Sequence, residues 1–155
     1  MSLKILTLDD HKVFSESLKL VLETHDFEVV NVTNPKMALS LIKNQKIDIL
    51  ISDIEMPEMN GVDFIKIMKE ISSNLEYVPK TIVLTTYKKI NLFKKLIALE
   101  IDAFLSKNVT HIELLSVIKK VISGEKYYES SIYNEYLKSN KDLHVIEFTV
   151  RELDV

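Results

Sequence analysis

An α/β fold built on a parallel sheet is predicted by three features of the chain. Short apolar segments alternate five times with stretches whose apolar residues recur at helical spacing, the pattern of repeated βα units. The segment at residues 46–52 is apolar almost without alternation (Ile47, Ile49, Leu50, Ile51), as a strand covered on both faces must be. The punctuation between segments is that of helix ends: Asn34 before Pro35, Thr110 three residues before Glu113, and Gly124 after the last stripe.

In chain order, residues 3–8 form a first strand that stops at Asp9 and Asp10. Val13, Phe14, Leu18, Val21 and Leu22 then place a helix. Residues 27–32 are rich in valine and read as the second strand, and Asn34 caps a helix whose apolar face holds Met37, Ala38, Leu41 and Ile42. The third strand runs through Ser52 to Asp53. A turn over Pro57 and Gly61 leads to a helix with Phe64, Ile65, Met68 and Ile71 inward. Residues 81–85 give the fourth strand, followed by a helix with Ile90, Phe93 and Ile97 on one side. Its lysines at 88, 89, 94 and 95 read first as a solvated face and second as a partner-binding one. Residues 101–106 form the fifth strand, ending at Lys107, and Leu114, Ile118, Val121 and Ile122 mark the fifth helix.

Right-handed crossovers put helices on both sides of such a sheet, and five units most simply give the flavodoxin-like order 2-1-3-4-5. Strands one and three are then neighbours at the switch point, so Asp9 and Asp10 meet Asp53 in one crevice, rimmed by Thr85 and Lys107.

Composition narrows the function. The 155 residues include no cysteine, so disulfides and thiolate metal sites are excluded, and no apolar segment resembles a signal peptide or membrane span. A cytoplasmic protein is the expectation. A net charge of -3, with Arg151 the single arginine, argues against a large surface for nucleic-acid phosphates. His11, His25, His111 and His144 share no metal-ligand spacing and read as surface or cap residues, His11 beside the acidic pair being the one that merits attention. Nucleotide hydrolysis has no support, because no glycine-rich phosphate loop is present.

An acidic residue at a strand end often serves only solubility or capping. Three carboxylates converging in one crevice, however, repel one another unless a hard divalent cation takes their charge, and Mg2+ is the natural occupant. A cation held by few carboxylates, with a lysine and a threonine beside it, suits transfer of a phosphoryl group to a carboxylate, Asp53 being the nucleophile.

In Asp9-Asp10, in Asp53 with the Met-Pro and Asn-Gly that follow, in Thr85 and in Phe104-Leu-Ser-Lys107, residues 3–124 resemble the receiver domain of two-component response regulators. The resemblance implies that Asp53 accepts the phosphoryl group from a phosphohistidine of a sensor histidine kinase. It implies that Asp10, Asp53 and the backbone carbonyl of Glu55 bind magnesium, and that Asp9 supports the metal's water shell. By the same resemblance Lys107 binds the phosphoryl group, while Thr85 and Phe104 form the switch pair that reports its arrival. The protein would then be a phosphoacceptor with self-catalysed transfer and autodephosphorylation, not an enzyme acting on other molecules, and phosphorylation would favour a homodimer. Glu55 and Tyr87 flank the site where such domains tune the phosphoryl lifetime. Asn108 stands where many receivers have proline after a cis bond, which leaves the Lys107-Asn108 geometry open. Phe104 stands where many have tyrosine, losing the hydroxyl but keeping the ring.

Two rivals are weaker. A receiver-like interaction domain that works without phosphorylation would usually lack a site residue, and a magnesium-dependent phosphatase would need an added general acid.

From Glu125 the texture changes. Tyr127, Tyr128, Tyr133 and Tyr136 crowd a short segment with a helical face of Ile132, Tyr133, Tyr136 and Leu137, and residues 139–143 are polar. This segment reads either as a terminal helix packed back on the domain or as a connector. Residues 148–155 resemble the opening of a LuxR-type helix-turn-helix, with Thr149 and Glu152 as its capping box. The expected organisation is a receiver at 1–124, a linker with a short helix at 125–147, and at 148–155 the start of a truncated DNA-binding domain of the NarL/LuxR class. Specific DNA binding would need the missing C-terminal part.

Overall fold

The structure is a computed structural model and describes residues 2–86 and 88–139. Its elements are β1 (Lys4–Leu8), α1 (Lys12–Glu23), β2 (Glu28–Val32), α2 (Pro35–Asn44), β3 (Ile49–Ser52), α3 (Gly61–Ser72), β4 (Lys80–Thr85), α4 (Ile90–Ala98), β5 (Ala103–Ser106), α5 (His111–Ile122), β6 (Tyr127–Tyr128) and α6 (Ser130–Ser139).

Five βα units form as expected, but the sheet has six strands in the order 2-1-3-4-5-6 rather than five. The added β6 is two residues long and pairs parallel to β5, Ala103 opposite Tyr127 and Phe104 opposite Tyr128. Two residues carry no periodicity, and this strand forms because β5 offers an edge with unpaired backbone groups beside it.

Strand alternation sorts the core into two layers. Leu6, Leu8, Leu50, Val83 and Phe104 face α2, α3, α4 and α6, meeting Ala38, Ile42, Phe64, Met68, Phe93, Leu96, Ile132 and Tyr133. Ile5, Ile49, Ile51, Ile82, Leu84 and Leu105 face α1 and α5, meeting Leu18, Leu22, Leu114, Ile118 and Val121. This double cover is why the central strands read as continuous apolar runs.

The helix ends are those that the residues dictate. Asn34 Oδ1 accepts from the Lys36 and Met37 amides, with Pro35 at the first helical position. Asn60 Oδ1 accepts from the Asp63 amide at 2.9 Å, and Thr110 Oγ1 accepts from the Glu113 amide at 3.1 Å. Gly124 turns with φ +96°, the left-handed conformation a glycine takes without strain. Val13, Met37 and Ile122, assigned to apolar faces from spacing, are instead exposed at 82 %, 57 % and 42 %. At 100° per residue, Leu18 and Leu22 define the inward side of α1, and Val13 lies off it.

Candidate phosphoacceptor site

The crevice lies at the carboxyl ends of β1, β3, β4 and β5. β1 and β3 are hydrogen-bonded neighbours, with Leu8 opposite Ser52, so the residues that follow them arrive together. The Asp53 amide donates to the Leu8 carbonyl at 2.9 Å, and the Asp9 amide to the Val32 carbonyl at 3.2 Å, fixing the backbone beneath both carboxylates. Asp9 and Asp53 are 5 % and 4 % exposed, while Asp10 is exposed.

Asp53 Oδ1 accepts the Ile54 amide at 2.7 Å and, at the limit of a bond, the Glu55 amide at 3.5 Å. The other oxygen, Oδ2, faces the crevice. The loop is drawn tight by the Gly61 amide donating to the Ile54 carbonyl at 2.7 Å. A Cβ at Gly61 would stand 2.6 Å from the Asp53 carbonyl oxygen and 2.6 Å from Ile54 Cα, so only glycine lets α3 start this close.

Lys107 is delivered by the end of β5, its amide donating to the Thr85 carbonyl at 3.1 Å. Its Nζ lies 2.7 Å from Asp9 Oδ2 and 3.0 Å from Asp53 Oδ2, above the Phe14 ring at 4.9 Å. Burial opposes its charge, but the hydrogen bonds and charges of Asp9 and Asp53 outweigh burial and raise its pKa, so it stays an ammonium. Asn108 follows through a trans peptide bond, since no described residue has a cis one, and its amide donates to Ser106 Oγ at 3.1 Å.

Thr85 is fully buried at the end of β4. Val83 pairs with Phe104 and Thr85 with Ser106, so alternation sets Thr85 and Phe104 on the same face of the sheet as diagonal neighbours. Phe104 is also fully buried and meets the Phe93 ring of α4 edge-on at 5.1 Å. Glu55 is exposed at the rim. Tyr87 lies outside the described residues, as do His144, Arg151, Thr149 and Glu152.

His11 keeps an exposed side chain, as a surface reading expects, yet its ring turns toward the site. It occupies the N-cap position of α1 without a side-chain capping hydrogen bond, and its Nδ1 lies 2.9 Å from Asp9, 3.3 Å from Asp10, 3.7 Å from Asp53 and 3.1 Å from Lys107. Its adjacency to the acidic pair was the one available signal, because the ring's direction depends on how α1 leaves the sheet. His25 and His111 are exposed and are not members of the cluster of Asp9, Asp10, His11 and Asp53.

Oxygens of Asp9, Asp10 and Asp53, together with His11 Nδ1, all lie within 4.8 Å of one another. Three carboxylates against one lysine leave an excess of negative charge that a divalent cation can neutralise, and hard oxygen donors at a crevice whose rim, Asp10, is exposed fit Mg2+. The residues present therefore fit the group that the sequence pattern implies.

The chain matches the response regulator receiver domain family over residues 5–119. It is 30 % identical over 159 residues to the transcriptional regulatory protein YdfI of Bacillus subtilis, covering 98 % of this chain and 72 % of that protein. Among solved structures, a DNA-binding response regulator of the LuxR family from Staphylococcus aureus superposes with a TM-score of 0.70 at 27 % identity, covering 77 % of this chain and 98 % of that one. The beryllofluoride-activated NtrC4 receiver domain dimer does so with a TM-score of 0.70 at 26 % identity, covering 77 % of this chain and 96 % of that one.

Proposed function

The chain belongs to the response regulator receiver family of two-component systems, and on that premise we propose that Asp53 takes a phosphoryl group from a kinase phosphohistidine and so switches a transcriptional output. The observation that carries the reading is the Asp53 carboxylate itself: one oxygen is pinned by backbone amides while the other faces Lys107 and the acidic cluster.

Asp53 attacks phosphorus with a carboxylate oxygen, the bond from phosphorus to the histidine nitrogen breaks, and that nitrogen leaves with the electron pair. The product is an acyl phosphate on Asp53. Lys107, already poised at 3.0 Å, moves its ammonium onto a phosphoryl oxygen as the negative charge grows there. Thr85, at the neighbouring strand end, would donate its hydroxyl to another. Asp10, Asp53 and the Glu55 carbonyl would hold magnesium, with Asp9 acting through a bound water. Magnesium there supplies charge neutralisation between the carboxylates and the incoming phosphoryl oxygens.

The reaction is self-catalysed, and hydrolysis of the acyl phosphate resets the domain. The likeness to a LuxR-family regulator supports a DNA-binding output supplied by sequence beyond the described residues, and the activated NtrC4 dimer supports association of two phosphorylated copies. A cytoplasmic location fits a kinase-fed regulator, and no described helix is long and apolar enough to cross a membrane. Intact mass after incubation with acetyl phosphate and magnesium tests the reading. A gain of one phosphoryl group is expected, and no gain is expected in Asp53→Asn. An unmodified wild type, or a modified Asp53→Asn, overturns it.

A further inference from the structure

Glu129, the residue between β6 and α6, ties the C-terminal segment to two elements that flank the site. Its Oε2 accepts the Ser106 amide at 2.7 Å, and its Oε1 takes Lys88 Nζ at 2.7 Å and Ser131 Oγ at 3.3 Å. Its own amide donates to the Phe104 carbonyl at 2.9 Å, and its carbonyl accepts the Tyr133 amide at 3.0 Å. Ser106 is the register partner of Thr85 and immediately precedes Lys107, while Lys88 sits three residues beyond Thr85 in the loop leading to α4. One side chain thus joins the end of β5, the β4–α4 loop and the first turn of α6.

The β6–α6 segment packs into an aromatic cluster continuous with Phe104. The Phe93 ring meets Phe104, Tyr128 and Tyr136 edge-on at centroid distances of 5.1, 5.5 and 5.4 Å. Ile132 and Tyr133 are the buried residues of α6. A helix of ten residues is marginal in water without packing, so α6 depends on this docking. Burial works against the charge of Glu129, yet the bonds from Lys88 and Ser106 outweigh it and lower its pKa, which keeps the carboxylate charged and paired.

We propose that Glu129 is a latch that holds the β6–α6 segment on α4, and that a phosphoryl group on Asp53 opens it. The inference rests on the phosphoacceptor reading. A new phosphoryl group offers fresh acceptors to Lys107 and Thr85, and both sit one bond or one short loop from the donors that Glu129 uses. A hydrogen bond weakens steeply once its distance or angle is lost, so a shift at either strand end disfavours the latched state. The added charge then moves the docking equilibrium as far as it favours the open arrangement. The Tyr128, Tyr133 and Tyr136 rings are the surface this would free.

Amide hydrogen exchange over residues 130–139 in the full chain with magnesium, with and without beryllofluoride, tests the proposal, while fluorine NMR reports occupancy of Asp53. Occupancy is expected to speed exchange in this segment about tenfold. Glu129→Gln keeps an acceptor for Ser106 but loses the ion pair, and Lys88→Gln removes the same pair from the exposed side. Each should raise exchange about fivefold without beryllofluoride and shrink the further increase on adding it. Bound fluoride with unchanged exchange in the wild type, or wild-type exchange in both variants, overturns the latch alone. No bound fluoride overturns the phosphoacceptor reading and the latch together.

Discussion

Gly61→Ala adds one carbon at the point where α3 begins against the Asp53 loop. That carbon would stand 2.6 Å from the Asp53 carbonyl oxygen, 2.6 Å from Ile54 Cα and 2.8 Å from Ile54 Cδ1. The isoleucine tip can rotate away. The first two atoms are main chain and can move only if the loop or the helix start moves with them. Two terms favour alanine: its helix propensity, about 1 kcal/mol over glycine, and the smaller entropy of its unfolded chain, about 0.4–1 kcal/mol, which overlap because both contain the same backbone freedom. Against them stands overpacking at about 1–3 kcal/mol, with the upper end applicable because backbone rather than a rotamer must yield. We expect a net loss of about 1–2 kcal/mol in urea denaturation. The larger effect should be on function, since Asp53 lies on the displaced loop and a misplacement of about 1 Å at a reacting group can cost about a hundredfold in rate. The assay is the rate of phosphorylation by acetyl phosphate alongside the stability measurement. A variant at least as stable as wild type, with an unchanged rate, would refute the steric reasoning.

Asp10→Ala should weaken magnesium binding severely, because a hard cation held by few oxygens has no replacement; an unchanged affinity by titration would place the metal elsewhere. Thr85→Ala should leave Asp53 reactive while uncoupling phosphorylation from self-association, and normal phospho-dependent sedimentation would contradict that route. Phe93→Ala, which empties the centre of three edge-on ring contacts, should cost about 3–5 kcal/mol, measured by denaturant unfolding. The Tyr128 phenol is pushed above its ordinary range by burial first and by the Asp102 charge second. Its contribution to stability is therefore complete below about pH 10 and is lost as pH rises toward the folded value. Lys107, also raised, acts in the same direction. Tyr128→Phe should flatten the fall in urea midpoint above about pH 10, and an unchanged slope would remove Tyr128 as its source.

Most of the frame was legible because it rests on local chemistry. Continuous apolar strands, the Asn34-Pro35 start and the Thr110/Glu113 cap each act within a few residues, and right-handed crossovers then leave little choice of topology. Asp9, Asp10, Asp53 and Lys107 could be brought together on paper because strand ends in such a sheet share one side. What escaped depends on contacts between distant parts of the chain. β6 exists only through its pairing with β5, the Glu129 carboxylate bonds to Lys88 41 positions away, and the direction of the His11 ring follows the exit angle of α1. Residues such as Val13 misled because helical spacing identifies a stripe more surely than its margins.

The two-residue β6 also bears on solubility. By pairing with Ala103 and Phe104 it occupies the open side of β5, and the chain turns at once into α6, so that side of the sheet presents hardly any ladder to a passing strand. The opposite margin, β2, is guarded by polar groups: Glu28 is paired to Lys4 at 2.8 Å, and Asn31 donates to the Ser15 carbonyl at 3.0 Å. Cutting the protein after Gly124 would strip the first of these guards and leave a bare, apolar β5 beside an uncovered Phe93, the kind of margin along which copies zip together into aggregates. The tyrosine-rich segment thus covers a strand margin that a shorter boundary would leave open.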